Sequence, residues 1–430
     1  MKLSPLARAI SVSSLAVALS IPMLAQAAFI EDSKASLELR NFYMNRDFRH
    51  ETATQSKAEE WAQGFLLRYE SGFTEGTVGV GVDAYGFSGF KLDSGGGTAG
   101  TGLLPRSKSS GKAPSSYGQL GATFKARLSE STLKAGTLMP KLPTVSSGDG
   151  RLIPQTFTGV HINSKEIDNL TADIGRLGRM NQRNSTDNAP IVLNGFSGNQ
   201  GKRNNKSTRS PAHQKVTSKF DFAGANYVWG DTGLSTGYNF ANFDGAYKQH
   251  ILNGVYTLPI AEGQSLKTDL RFARTTEDGK SGIDNKAISG MLTYKLGYNS
   301  FGLGYQKMSG DTGYAYIELT DPLLTNYVQI RDFAATDEKS WQARYDYNFA
   351  GLGIPGLNLM TRYVKGNNIY MGANQSRGGE WERDTDIAYV FQDGPLKNLG
   401  VKWRNATLRS DLSGKIDENR LIVSYTMPLM

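Results

Sequence analysis

The chain has 430 residues, no cysteine and a formal net charge of +8, with 39% hydrophobic and 10% aromatic residues and 49 glycines. The lack of cysteine removes any disulfide framework, thiolate nucleophile or thiolate metal site. The basic excess invites nucleic-acid binding, but the basic residues form neither a contiguous run nor a helical stripe, so nucleic acid is excluded as a partner.

Lys2 and Arg8 open the chain, an apolar stretch runs from about Ala9 to Met23, and Ala25-Gln26-Ala27 stands before Ala28. That is the charged, apolar and small-x-small order of a secretory signal peptide, predicted over residues 1–27. Serines and Pro22 interrupt the stretch, which is also short for a membrane anchor. After it no run of about 18 apolar residues occurs, which excludes helical spans. An exported soluble protein or an outer-membrane barrel remains, and the low mean hydropathy favours the alternating strands of a barrel over buried apolar runs.

From there on, segments that alternate apolar and polar residues recur between turn-rich breaks. Clear examples are Trp61 to Tyr69, Thr77 to Phe87, Tyr117 to Leu128, Thr132 to Met139, Asn226 to Trp229 and Leu234 to Phe243. Leu266 to Ala273, Ile288 to Tyr298, Phe301 to Met308, Trp341 to Phe349 and Leu357 to Val364 follow. The count lies between about sixteen and nineteen, and eighteen strands would allow about 22 residues each, enough for a membrane strand of about ten plus its connections. The prediction is an all-β chain: one transmembrane antiparallel barrel of 18 strands over residues 28–430.

The breaks differ in kind. Phe73-Thr74-Glu75-Gly76 and Gly353-Ile354-Pro355-Gly356 read as short periplasmic turns, whereas Leu92 to Ser116 and Met180 to Gln214 read as long external loops. Residues 139–157 read differently, combining three prolines with Leu142, Val145, Leu152, Ile153 and Phe157. A solvated loop has little use for such side chains, so this segment is predicted to fold into the lumen as a constriction with Arg151 at its narrowest point.

The closing strands alternate most clearly. Leu399, Val401 and Trp403 oppose Lys402 and Arg404; Leu421, Val423, Tyr425, Met427 and Leu429 oppose Arg420, Ser424 and Thr426. A membrane barrel turns the apolar face to lipid and lines its water with the other. By the same parity Arg344 and Asp346, Arg362, Lys125 and Arg127 face inward. Cations on several strands around a confined, low-dielectric space focus their field and concentrate anions, and arginine grips a carboxylate bidentately. The alternative is that each is a solvated charge paired with an acid such as Asp269 or Asp346.

Gly150-Arg151-Leu152-Ile153-Pro154-Gln155-Thr156-Phe157-Thr158-Gly159 resembles the inward loop of the OprD-type outer-membrane carboxylate channels (the Occ family). Lys339 to Tyr347, Pro355-Gly356-Leu357 and Glu418 to Tyr425 carry the same resemblance, which spans essentially the whole mature chain. It implies an 18-stranded barrel in the Gram-negative outer membrane, a monomer or loose homotrimer, and passive uptake of small carboxylate-bearing solutes along a basic ladder. Carried over, the ladder falls on Lys402, Arg404 and Arg420, with Arg151 at the constriction. Lys402 stands where an arginine is expected, which keeps the charge but not the bidentate fork. The wording of Trp381 to Asp386 and Trp403 to Arg409 is similar to the OccK branch, implying cyclic or aromatic carboxylates; the OccD branch would imply basic amino acids or peptides.

A barrel enzyme, such as an outer-membrane esterase, is the competing class. His50, His161, His213 and His250 include no pair four residues apart, so no helical zinc pair forms. Gly95-Gly96-Gly97-Thr98-Ala99-Gly100 matches a dinucleotide fingerprint, but no helix follows it. The reading is a channel with no catalytic residues, metal or cofactor.

Overall fold

The computed structural model describes residues 29–49, 53, 55–107, 109–194 and 215–430. The predicted signal peptide and most of the Met180 to Gln214 break lie outside the described residues.

Period-two alternation produces eighteen long strands among the described residues. They are β1 (Lys34–Phe48), β2 (Lys57–Glu70), β3 (Val78–Asp93), β4 (Ser116–Leu128), β5 (Ser131–Leu138), β6 (Thr156–Ser164), β7 (Leu170–Asn181), β8 (Phe220–Val228) and β9 (Leu234–Phe243). The second half comprises β10 (Tyr247–Ala261), β11 (Gln264–Glu277), β12 (Asp284–Leu296), β13 (Asn299–Ser309), β14 (Lys339–Asn348), β15 (Leu357–Ile369), β16 (Gly378–Val390), β17 (Gly400–Ser410) and β18 (Gly414–Pro428). Each strand pairs antiparallel with its sequence neighbours. The sheet closes where β18 meets β1, from Ile416 opposite Phe48 to Pro428 opposite Ser36. Closure satisfies every strand edge, a condition that hydrocarbon imposes.

Lipid exposure decides which face is apolar. On β13, Leu303 is 66% exposed and Tyr305 50%, while their neighbour Gln306 is fully buried. Such a band of bare aliphatic and aromatic side chains suits a bilayer and not water. The chain ends lie at one rim, the periplasmic one by this architecture, and the longest connections lie at the other.

Both short turns match the sequence reading, as do most strands within a few residues. β1, β7 and β10 escaped the clear examples because their outward faces include Asn41, Arg176, Arg179 and His250 beside the apolar residues; β6 and β16 escaped them as well.

β5 holds only eight residues, so the chain leaves the wall after Leu138 and enters the lumen at mid-height. There Lys141–Leu142 pairs with Val145–Ser146 in a miniature hairpin, and the Gln155 N–H donates to Gly148 O at 2.9 Å before β6 resumes the wall. Phe157 already belongs to β6, opposite Leu138, so the segment inside the barrel is 139–155. Leu152 and Ile153 pack among Phe42, Leu66, Phe87 and Leu103. Glycine at position 89 allows that approach, since a Cβ there would stand 2.8 Å from Leu152 Cδ2.

Two further loops turn inward. The β3–β4 connection, expected to be external, buries Leu103 and Leu104, and Thr101 donates to Glu60 on β2. The β13–β14 connection, residues 310–338, buries Tyr314, Ile317, Leu324, Phe333 and Ala334. It meets the first inward loop where the Asp321 N–H donates to Ser146 O at 2.9 Å and Gln155 Nε2 donates to Glu318 O at 2.9 Å.

Candidate functional site

Strand parity carries every basic residue singled out on the wall to the inside. On β17, Lys402 and Arg404 share a face with fully buried Ala406 and Leu408, while Trp403 points outward. On β18 the inward set is Glu418, Arg420, Ile422 and Ser424. Arg344 and Arg362 lie inside β14 and β15.

Each of these cations has a carboxylate partner. Arg404 Nε lies 3.0 Å from both oxygens of Asp386, and Lys402 Nζ lies 3.3 Å from the same group. Arg420 pairs with Glu418 at 2.6 Å, and Glu418 also holds Arg46 of β1. Arg362 lies 2.7 Å from Asp384, and Arg344 2.7 Å from Asp346. The pairing leaves a local surplus of positive charge within two trios. Two cations share Asp386 and two share Glu418, so each trio keeps one positive charge. Beside Lys402, Arg344 and Asp386 opens a recess of about 470 Å³ toward the periplasmic rim.

Arg151 stands apart from these trios. It is 6% exposed, donates to Gly150 O at 2.8 Å and approaches Thr101 O at 3.4 Å, with no acid at ion-pair distance among the described residues. The charges acting on it most strongly are Arg420, Arg183 and Arg46, against Glu418. Arg183, on the β7–β8 connection, buries an Nε that has no hydrogen-bond partner among the described residues. The Tyr327 hydroxyl and Asp321 lie on the facing loop, 3.3 Å from one another. Burial pushes the Tyr327 phenol above its ordinary range, and the nearby Asp321 carboxylate adds to the shift.

Lys125 and Arg127, grouped with the ladder on parity alone, sit elsewhere on the wall. Lys125 lies 2.6 Å from Asp83 and donates to Ser71 O at 2.6 Å; Arg127 lies over the Phe73 ring at 4.5 Å. They are separated from β17 by β18, β1, β2 and β3.

Sequence reasoning missed an acidic column. Glu380, Glu382, Asp384 and Asp386 alternate along β16 and all face inward, buried. Glu382 accepts the backbone N–H groups of Ile330 at 2.7 Å and Arg331 at 2.9 Å; Glu380 holds the Arg331 guanidinium at 3.0 Å. Beside them, Arg420 donates to Gln329 O at 3.1 Å, so the tip of the second inward loop rests on the ladder. The signal was present in Glu380-Trp381-Glu382-Arg383-Asp384-Thr385-Asp386, whose odd members face out.

The comparisons agree with this geometry. A family model described as outer membrane porin, OprD family, matches residues 27–429. The Porin-like protein GalP of Pseudomonas putida strain KT2440 is 37% identical over 97% of this chain and 98% of its own. The crystal structure of Pseudomonas aeruginosa OpdQ superposes with a TM-score of 0.84 at 59% identity, covering 94% of this chain and all of the other. P. aeruginosa OpdK, also called OccK1 and crystallised with vanillate, gives 0.83 at 35% identity over 93% of this chain and 100% of its own. These relatives are porins, which are channels and not enzymes.

Proposed function

We propose, from the premise that this chain belongs to the OprD family of outer membrane porins, close to its OccK branch, that its pore passes small carboxylates, cyclic or aromatic ones in particular. The observation that carries this reading is the grouping of cations where the inward loops meet the ladder: Arg46 and Arg420 share Glu418, and Arg151 stands beside them with no acid of its own at ion-pair distance among the described residues. An anion arriving there meets guanidinium groups already desolvated by the fold and exchanges part of its hydration for them. Arg404 and Lys402 offer the next partners toward the periplasm, each tempered by Asp386, so that binding stays weak enough to release. Arg344 and Arg362 extend the charged lining. One barrel encloses the whole track, so passage needs no second copy. The vanillate in OpdK is an aromatic carboxylate, which supports the same substrate class for a chain of this similarity.

Uptake of radiolabelled benzoate into proteoliposomes tests the reading. A partly buried charge-assisted contact is worth about 1.5 to 3 kcal/mol, so Arg404→Gln is expected to lower uptake roughly tenfold. Arg383→Gln, on the outward face of β16, should leave it unchanged. Equal effects at both positions would refute the track, and preferential uptake of lysine over benzoate would favour the basic amino-acid alternative.

A further inference from the structure

Below the first inward loop, against the wall from β2 to β6, lies a cavity of about 670 Å³ that the ladder does not reach. Its lining carries four basic side chains, Arg68, Lys125, Lys134 and Lys141, against two acids, Glu70 and Asp83. Lys125 is committed to structure, since its ammonium pairs with Asp83 at 2.6 Å, donates to the carbonyl of Ser71 at 2.6 Å, and lies 4.8 Å from the Phe73 ring centre. Lys134, beside it on β5, differs. Its Nζ reaches the other oxygen of Asp83 at only 3.6 Å, and its side chain is 45% exposed.

Asp83 thus faces two ammonium groups and satisfies one of them well, repeating the two-to-one arrangement of Asp386 and Glu418. The roof of the cavity is apolar: Leu138, Met139 and Leu142, from the end of β5 and the inward loop. A half-free cation next to an apolar roof is complementary to a small molecule with one carboxylate and one ring, and the volume suits such a ligand. We propose that this cavity is a second binding chamber on the periplasmic side of the constriction, holding a ring-bearing carboxylate by Lys134 before release. The proposal rests on the reading that the pore passes carboxylates, but it uses none of the ladder residues.

The cysteine-free sequence permits a direct test. Thr132→Cys places one thiol in the chamber lining while leaving Lys134 intact. In bilayers containing this full-length variant, an anionic methanethiosulfonate reagent should modify the thiol from the periplasmic side, and benzoate should slow the modification about threefold to fivefold, the range for a partly exposed ion pair. Adding Lys134→Gln should abolish the protection and Lys134→Arg should preserve it. Protection that is absent, or that persists in Lys134→Gln, overturns the chamber. Arg404→Gln separates the two readings: if it lowers benzoate uptake while Thr132→Cys shows no protection, the ladder stands and the chamber falls. If Thr132→Cys is protected through Lys134 while uptake ignores Arg404, the chamber stands and the ladder falls.

Discussion

Replacing Glu382 by glutamine alters a carboxylate that is 0% exposed and accepts two backbone N–H groups, one on each oxygen, from Ile330 at 2.7 Å and Arg331 at 2.9 Å. Glutamine keeps the volume but turns one acceptor into an amide donor, which must then face a backbone donor at a fully buried position. A buried hydrogen bond lost in this way costs about 1 to 3 kcal/mol. Taking about 2 kcal/mol, the 329–331 tip should detach about 25-fold more often, since 1.4 kcal/mol is a factor of ten. Detachment frees Arg420 from Gln329 O and widens the path beside the ladder. Amide hydrogen exchange should therefore accelerate across residues 329–331, and single-channel recordings should gain frequent excursions to higher conductance. Asp386→Asn is the control: it lies on the same column but touches Lys402 and Arg404 rather than the loop. Exchange at 329–331 that matches the unsubstituted protein in Glu382→Gln, or equal acceleration in Asp386→Asn, would refute the tether.

Deleting residues 142–149 removes the hairpin tip of the first inward loop, and single-channel conductance should rise; an unchanged value would place the constriction elsewhere. Leu303→Arg puts a charge on the lipid face of β13, where Leu303 is 66% exposed, and should lower folding stability in lipid by about 2 to 4 kcal/mol if the site lies near the midplane. Urea titration in vesicles reads that change, and a loss under about 0.5 kcal/mol would contradict lipid exposure at this position. For the leader, intact mass of the protein from outer membranes should correspond to an N-terminus near Ala28, and a retained Met1 would exclude cleavage.

The wall was legible in the sequence because lipid imposes a simple rule. Outward positions over mid-membrane are mostly apolar at every second residue, and Leu421, Val423, Tyr425 and Met427 follow that rule, whereas the paired Asn41 and Gln63 depart from it. Above the bilayer the rule lapses, so Arg409 and Asp417 can pair on an outer face that parity alone would have made apolar. The first inward loop was legible from Leu152, Ile153 and Phe157 in a proline-rich break, yet the same signal in residues 310–338, with Tyr316, Ile317, Leu324 and Phe333, went unread. The contacts that hold this loop lie with segments far away in sequence, as when Gln155 Nε2 donates to Glu318 O, and no local pattern encodes them. The individual ladder cations could be assigned to the lumen, but their partners could not. Asp386 reaches Arg404 through cross-strand register, which alternation along one strand leaves unspecified.

The register makes the pore's chemistry more moderate than a bare basic ladder would be. Unpaired arginines crowded in a lumen repel one another, destabilise the barrel and hold an anion too firmly to let it go. Sharing one carboxylate between two cations, as Asp386 does for Lys402 and Arg404 and Glu418 does for Arg46 and Arg420, removes most of that repulsion. Each trio still carries a single positive charge, and Arg404 Nε already contacts both oxygens of a carboxylate. On the proposed reading, a passing carboxylate binds by sharing or displacing the resident acid, an exchange of like partners whose net cost is small although each contact is strong. Arg151 has no such resident acid among the described residues, and on the proposed reading it meets the anion first, where the inward loops approach the ladder, before the paired residues below it.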